Sequence, residues 1–445
     1  MIDPSGPFAA VPALALASIA ILPGVLLWIR RWDPMGWCIG FLGASVATSI
    51  AALAAVVAGT ATRPWFLVMA IFLYAAGLFR LLREGPLRGA DPLGDRWALL
   101  GWLIIGATTL VYLYRAPVHY DPRSIWFFHA SWFTSPDVAY VDLLPLPFPH
   151  PDYPPLVPSF SAFTWLFGND RNDWIAQTTT GLLTLVAIGG LVVLLTRGIR
   201  SPGLRAVAGG LATLAVLGVI QEYGFDGHAD GITAVAVATL CLVAILGDDP
   251  PLGAVAAVAA VLAKSEGAVF VLVVILPLYL LLRRSLRPLI PALVLGAGWV
   301  AAVTVAGSRG EEWHLSAIFP WSDRFLERLG AIAASLTGNA VFVAAAVLWL
   351  GAVLVSWGRR ERRLSQVLIA GGAGLALLLS IVVFYLASSR DLQWHLDTSA
   401  HRLVLHPSLV LVVGAGLGFV AVLRSLSHRP ETEPSPDSKP ARFSP

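Results

Sequence analysis

Residues 173–196 read DWIAQTTTGLLTLVAIGGLVVLLT, and this stretch decides the fold. After Asp173 it carries no charge. As a helix rising about 1.5 Å per residue, it is long enough to cross a hydrocarbon core of about 30 Å. Arg197 and Arg200 follow it directly. In lipid the backbone must satisfy its own hydrogen bonds. A continuous apolar run therefore reads as a helix, whereas barrel strands alternate in short segments.

Similar runs, bounded by Arg, Pro or Gly, lie on both sides of it. Together the candidate spans are 8–29, 37–61, 64–82, 97–114, 173–195, 204–222, 230–247, 251–263, 267–282, 288–307, 338–357, 364–387 and 403–423, thirteen in all. The run 251–263 is short, and 154–168 is apolar but Pro-rich. Composition agrees: the 445 residues are 57% hydrophobic and only 13% charged, with a mean hydropathy of +0.75. Soluble chains carry about 25% charged residues, so a water-soluble globule is excluded. The expected fold is all-α, a polytopic membrane bundle. It divides into three N-terminal spans (1–96), a main membrane unit (97–423) and a polar, Pro/Ser-rich tail (424–445) expected to be disordered.

The N-terminal run lacks a basic leader and reads as a retained helix. Cys38 and Cys241 both sit inside apolar runs, so neither a disulfide framework nor a metal cluster is implied. The arginines are distributed as topology signals, which leaves no nucleic-acid signature.

Charge placement orients the bundle. Arg30/Arg31, Arg80 to Arg96, Arg197 to Arg205, Arg283 to Arg287 and Arg359 to Arg363 fall on alternate connections, which the positive-inside rule makes cytoplasmic. Acidic residues run the other way. Eight of the nine histidines, His119, His129, His150, His228, His314, His395, His401 and His406, fall on or near the outer side. The rule predicts only the basic bias, so a gathering of His and Asp at one face points to a site there. Longer outer loops account for part of it.

Four stretches carry that gathering. The outer loop 115–172 contains YDPRSIWFFHA (120–130) and HPDYPPLVP (150–158). Asp121-Pro122 reads either as a helix start with Asp121 as N-cap or as a carboxylate placed to take a proton from a hydroxyl. The aromatic helix that follows is expected to lie in the membrane interface. His150, Asp152 and Tyr153 occupy a rigid Pro-rich turn, which serves equally as a plain turn or a polar edge of a site.

The connection QEYGFDGHADG (221–231) crowds Glu222, Asp226, His228 and Asp230 around two helix ends, with Asp230 a candidate N-cap. Lys264-Ser265-Glu266-Gly267 places an ionisable pair at membrane depth, where it needs a partner or a wet cavity. Lys264 is one of two lysines, the other being Lys439 in the tail. A plain salt bridge at a hairpin is the alternative there. Finally, RDLQWHLDTSAHR (390–402) brings His395 and Arg402 to the start of the last span. A cation there suits a lipid phosphate or snorkels to headgroups.

In order and spacing these stretches resemble the GT-C superfamily of polytopic glycosyltransferases, and more narrowly the bacterial relatives of dolichyl-phosphate-mannose:protein mannosyltransferases. The resemblance covers residues 97–423. It implies transfer of a sugar from a polyprenyl-phosphate donor to an acceptor hydroxyl on the outer side, with inversion. By resemblance Asp121 is the general base. Arg402, Lys264 and Arg123 would stabilise the leaving phosphate, and His150, Asp152, Tyr153, Asp230, Glu266 and His395 would line the cavity. The acceptor class stays open among glycolipid, polysaccharide and protein, and a divalent cation is a candidate cofactor with no ligand set of its own in the sequence. Three extra spans precede the unit that carries the loop, and Asp121 is followed by Pro122 where many members carry paired acids. The Arg-for-Lys bias suggests a GC-rich bacterial genome and hence the inner membrane, with the site facing the periplasm. The competing class is a transporter or flippase of a lipid-linked substrate.

Overall fold

A computed structural model of the chain describes residues 6–29, 33–84, 119–167, 172–308, 323–361, 363–388 and 391–427. The expected span 97–114 and most of the polar tail lie outside the described residues. Among those described, the fold is helical throughout, with no strand. In chain order the helices are α1 (Gly6–Ile29), α2 (Pro34–Ala58), α3 (Arg63–Glu84), α4 (Phe128–Phe133), α5 (Leu156–Trp165) and α6 (Asp173–Thr196). Then come α7 (Pro202–Ile220), α8 (Asp230–Leu246), α9 (Pro250–Ala263), α10 (Ser265–Leu281) and α11 (Ile290–Val305). The last are α12 (Asp323–Thr337), α13 (Ala340–Gly358), α14 (Leu364–Ala387), α15 (Leu392–Leu403) and α16 (Leu405–Ser427).

Seven helical stretches are long and apolar enough to cross a membrane, and α8 to α11 are shorter apolar helices of the same character. This is a helical membrane protein. Boundaries follow local chemistry. Asp33-Pro34, Ser201-Pro202 and Asp249-Pro250 each pair a capping side chain with a Pro at the first turn, starting α2, α7 and α9. Gly59 and Gly247, at φ +62° and +71°, end α2 and α8 in the left-handed conformation.

The core runs along α8, where Ile232, Val235, Leu240 and Leu242 are fully buried. Around it pack α6, α9 and α16, with α2 against α6, α9 and α11. Hydroxyls bind the helices where lipid offers no hydrophobic drive. Ser159 of α5 lies 3.2 Å from Thr48 and 3.3 Å from Ser49 of α2, and Thr164 of α5 lies 3.0 Å from Thr179 of α6.

Charge sorts to the two ends of the bundle. At one end, Arg197 after α6 pairs with Asp248 and Asp249 after α8, the latter at 3.9 Å. Arg284 after α10 donates to the Ala244 and Ile245 carbonyls, at 2.8 and 3.0 Å, which neutralises the C-terminus of α8. Arg424 of α16 closes on Gly198 there. The other end gathers Asp121, Asp226, Asp230 and His228. α9 has only 14 residues, a rise of about 21 Å. A helix of that length ends short of a 30 Å core, and Lys264, which follows it, is buried in protein.

Three elements differ from expectation. The last span begins at Leu405, because residues 392–403 form their own helix, α15, capped by Asp391, whose carboxylate accepts from the Trp394 amide at 2.8 Å. α16 continues to Ser427, so the tail starts later than residue 424. The loop helix opens as a π-helical turn over Pro122–Phe127. It buries Trp126, Phe127 and Phe133 in protein instead of spreading its aromatics along an interface.

Candidate functional site

Four stretches far apart in sequence meet at the Asp/His end. Arg402 Nη1 of α15 donates to Asp121 Oδ2 at 3.1 Å, and the same nitrogen lies 3.9 Å from Asp230 Oδ2 at the start of α8. Lys264 Nζ, between α9 and α10, lies 2.8 Å from Asp230 Oδ1 and 3.1 Å from Glu266 Oε1. Asp230, Lys264 and Glu266 are buried, while Asp121 is 42% exposed. A buried ammonium shared by two carboxylates, with a guanidinium beside it, is costly to assemble unless all partners are present. Among the described residues, Asp230 Oδ2, Glu266 Oε2 and Arg402 Nε have no hydrogen-bond partner.

Asp121 does not cap its helix. Its backbone is already helical, and its side chain makes no capping bond but turns to Arg402. Asp230 is likewise inside α8, with Ala229 in the capping position and the carboxylate spent on Lys264. Both capping alternatives are thereby overturned.

His228 completes the centre. Its Nδ1 lies 2.8 Å from Asp226 Oδ1, a close charge contact too oblique for an aligned hydrogen bond, and its Nε2 lies 3.8 Å from Asp121 Oδ2. Burial alone would lower the imidazolium, but its contacts with Asp121 and Asp226 outweigh that and hold it at about 9. In turn the His228 contact, against partial burial and helped by the Arg402 charge, holds the Asp121 carboxyl below its usual range. Gly227, at φ +96°, bends the chain so that Asp226 and His228 face one way. A Cβ there would come within 2.6 Å of Phe127 and 3.0 Å of Pro122, so the turn beds directly on the π-helical segment that carries Asp121.

Above these charges opens a polar pocket of about 240 Å³, lined by His119, Asp121, Tyr223, His228, His401 and Arg402 among others. The HPDY turn flanks it less directly. Tyr153 stacks on Trp126 at 5.2 Å and on His150 at 4.2 Å, which fixes the π-helical turn. Trp299 of α11 donates to the Asp152 carbonyl at 2.9 Å. Burial raises the Asp152 carboxyl, with the Glu266 charge adding to it. Beneath this loop, His129 is buried and pushed down to about 4. Its Nε2 lies 3.2 Å from the Pro149 carbonyl and its Nδ1 2.9 Å from the Tyr140 hydroxyl.

Of the residues expected from sequence, Asp121, Asp230, Lys264, Glu266 and Arg402 form one network. Arg123 does not join it. Its Nε pairs with Asp173 Oδ2 at 2.7 Å, both partly exposed at the start of α6. His395 sits two turns before Arg402 on α15, 2.9 Å from the Ser388 hydroxyl and edge-on to Tyr385. It docks the helix that presents Arg402. Asp226 and His228 are the additions. The density of titratable groups in FDGHAD marked their neighbourhood, but nothing local tied them to Asp121. Among the described residues no group of three His, Cys, Asp or Glu is arranged to hold a metal ion. Family models, curated proteins and solved structures offer no match to this chain.

Proposed function

We propose that the protein is a membrane glycosyltransferase of GT-C type, using a polyprenyl-phosphate sugar donor and an acceptor hydroxyl on the periplasmic face of a bacterial inner membrane. The observation that carries the reading is the 3.1 Å contact between Arg402 and Asp121, which sets a cation and a carboxylate at one pocket opposite the arginine-rich end. In the reaction the acceptor O–H gives its proton to the Asp121 carboxylate and its oxygen bonds to the anomeric carbon. The bond from that carbon to the donor phosphate oxygen breaks, leaving its electron pair on polyprenyl phosphate, and the configuration inverts. Arg402 stabilises the developing phosphate charge, with Lys264 holding Asp230 and Glu266 beneath it. Acceptors in the range of glycolipid, polysaccharide or protein fit an open polar mouth.

The test is transfer by Asp121→Asn in proteoliposomes. We expect activity to vanish while donor binding persists, and retained activity removes the assigned base. Arg402→Ala should weaken donor binding more than it alters acceptor preference.

A second reading, a transporter or flippase of a lipid-linked substrate, draws on the buried Lys264–Asp230–Glu266 cluster at membrane depth, where carriers place their binding groups. It predicts that labelled lipid-linked sugar crosses vesicles containing the purified protein, without covalent transfer.

A further inference from the structure

The proposed base is already engaged by cations. Arg402 Nη1 binds Asp121 at 3.1 Å, and His228 Nε2 stands 3.8 Å away on the same oxygen. A carboxylate so engaged is a poor proton acceptor. The two cations are not equally fixed. His228 is tied from behind by Asp226 at 2.8 Å, and its backbone amide also donates to that carboxylate at 3.1 Å. Arg402 has a looser second partner, Asp230 at 3.9 Å, which Lys264 already holds at 2.8 Å. Its Nη2 donates to the Thr398 carbonyl at 3.1 Å, and its Nε has no hydrogen-bond partner among the described residues. Moving this guanidinium off Asp121 therefore leaves Asp230 neutralised. It also gives the buried Nε–H an acceptor if the new partner is an anion in the pocket.

We propose that Arg402 is a transferable counter-ion, which leaves Asp121 for the anionic group of the donor when the donor binds, so that the carboxylate is open to the acceptor only in the donor complex. This rests on the glycosyltransferase reading and adds an order to it, donor before acceptor. The titratable and charged groups around Asp121 are Arg402 and His401 from α15, His228, Asp226 and Tyr223 from the connection before α8, Asp230 from α8, and His119 and Tyr120 on the segment leading to Asp121. Of these, the contacts give Arg402 the freedom to move.

The experiment uses the full chain in nanodiscs and a water-soluble carbodiimide with an amine nucleophile. The carbodiimide labels the protonated carboxyl, and peptide mass spectrometry reads Asp121 across pH. Farnesyl phosphate is the probe, with binding followed independently by tryptophan fluorescence. Bound farnesyl phosphate should move the labelling midpoint of Asp121 up by about one pH unit or more, the usual influence of a cation at this range, and farnesol should not. Arg402→Gln should show the raised midpoint without ligand and no further rise with it. Arg402→Lys, which keeps the charge, should restore the response in part. A midpoint unmoved while farnesyl phosphate is bound overturns counter-ion transfer and leaves the enzyme reading intact. An equal shift with inorganic phosphate at equal concentration supports the transfer but removes the lipid donor. Failure to bind either phosphate overturns both.

Discussion

Lys264 offers the sharpest test of how the centre is held together. Its ammonium lies 2.8 Å from Asp230 and 3.1 Å from Glu266, with side-chain exposures of 7%, 1% and 10%. At an effective dielectric of about 20, each contact is a Coulomb attraction of roughly 5 to 6 kcal/mol, most of it offset by taking three charges out of water. Replacing Lys264 by Met removes the attraction but keeps the desolvation. Asp230 then has Arg402 at 3.9 Å, and Glu266 keeps no close cation among the described residues. Breaking such a buried pair from one side costs about 3 to 5 kcal/mol. Lys264→Met should therefore lower the free energy of unfolding by about that amount in an SDS titration from mixed micelles. Adding Asp230→Asn removes one stranded charge and should recover about 1 to 3 kcal/mol, the coupling expected of groups in direct contact. A loss under about 1 kcal/mol for Lys264→Met, or a double variant no more stable than the single, would refute this account.

Three further expectations follow from the same geometry. His228 is held at about 9, above its unfolded value near 6.5. Its contribution to stability is thus full below about pH 6.5 and lost as pH rises through 9, and His228→Gln should flatten thermal midpoints measured from pH 6 to 9.5. Gly227→Ala meets both a positive φ and the Phe127 ring, so it should cost about 1 to 3 kcal/mol and displace Asp121; a fully stable variant would show that the turn can yield. Arg123→Ala breaks only a half-exposed pair with Asp173, so stability should change by less than about 1 kcal/mol with donor binding unaltered. A large loss of donor binding would return Arg123 to the site.

The spans were legible because lipid imposes a simple demand on composition. The run 173–195 became Asp173–Thr196, and 364–387 became Leu364–Ala387, since Arg, Pro and Gly bound the apolar stretches on both sides. α15 was hidden by its polarity, although Leu396, Ala400 and Leu403 already formed a helical stripe, and these are the residues it buries. α12 is amphipathic, with four charges in its first six residues, so a search for continuous apolar runs passes over it. Within the site, residue types were readable and partners were not. Asp121-Pro122 has the local form of a capped helix start, yet a cation 281 residues away claims the carboxylate. Arg123 and Arg402 look alike in sequence, and only tertiary packing separates a surface pair from a central one.

The short helices have a mechanical consequence for the surrounding bilayer. α11, with 16 residues, rises about 24 Å, and its Ile290, Val294, Val300 and Val305 face outward. A hydrocarbon layer of about 30 Å beside this wall must thin by about 6 Å to avoid wetting its own chains, at a cost of fractions of a kcal/mol per ångström. The lipid beside α11 is therefore expected to be thinner than the surrounding bilayer. Lipids of shorter acyl length would relieve that mismatch, so bilayer thickness is expected to set how well this wall is seated in the membrane.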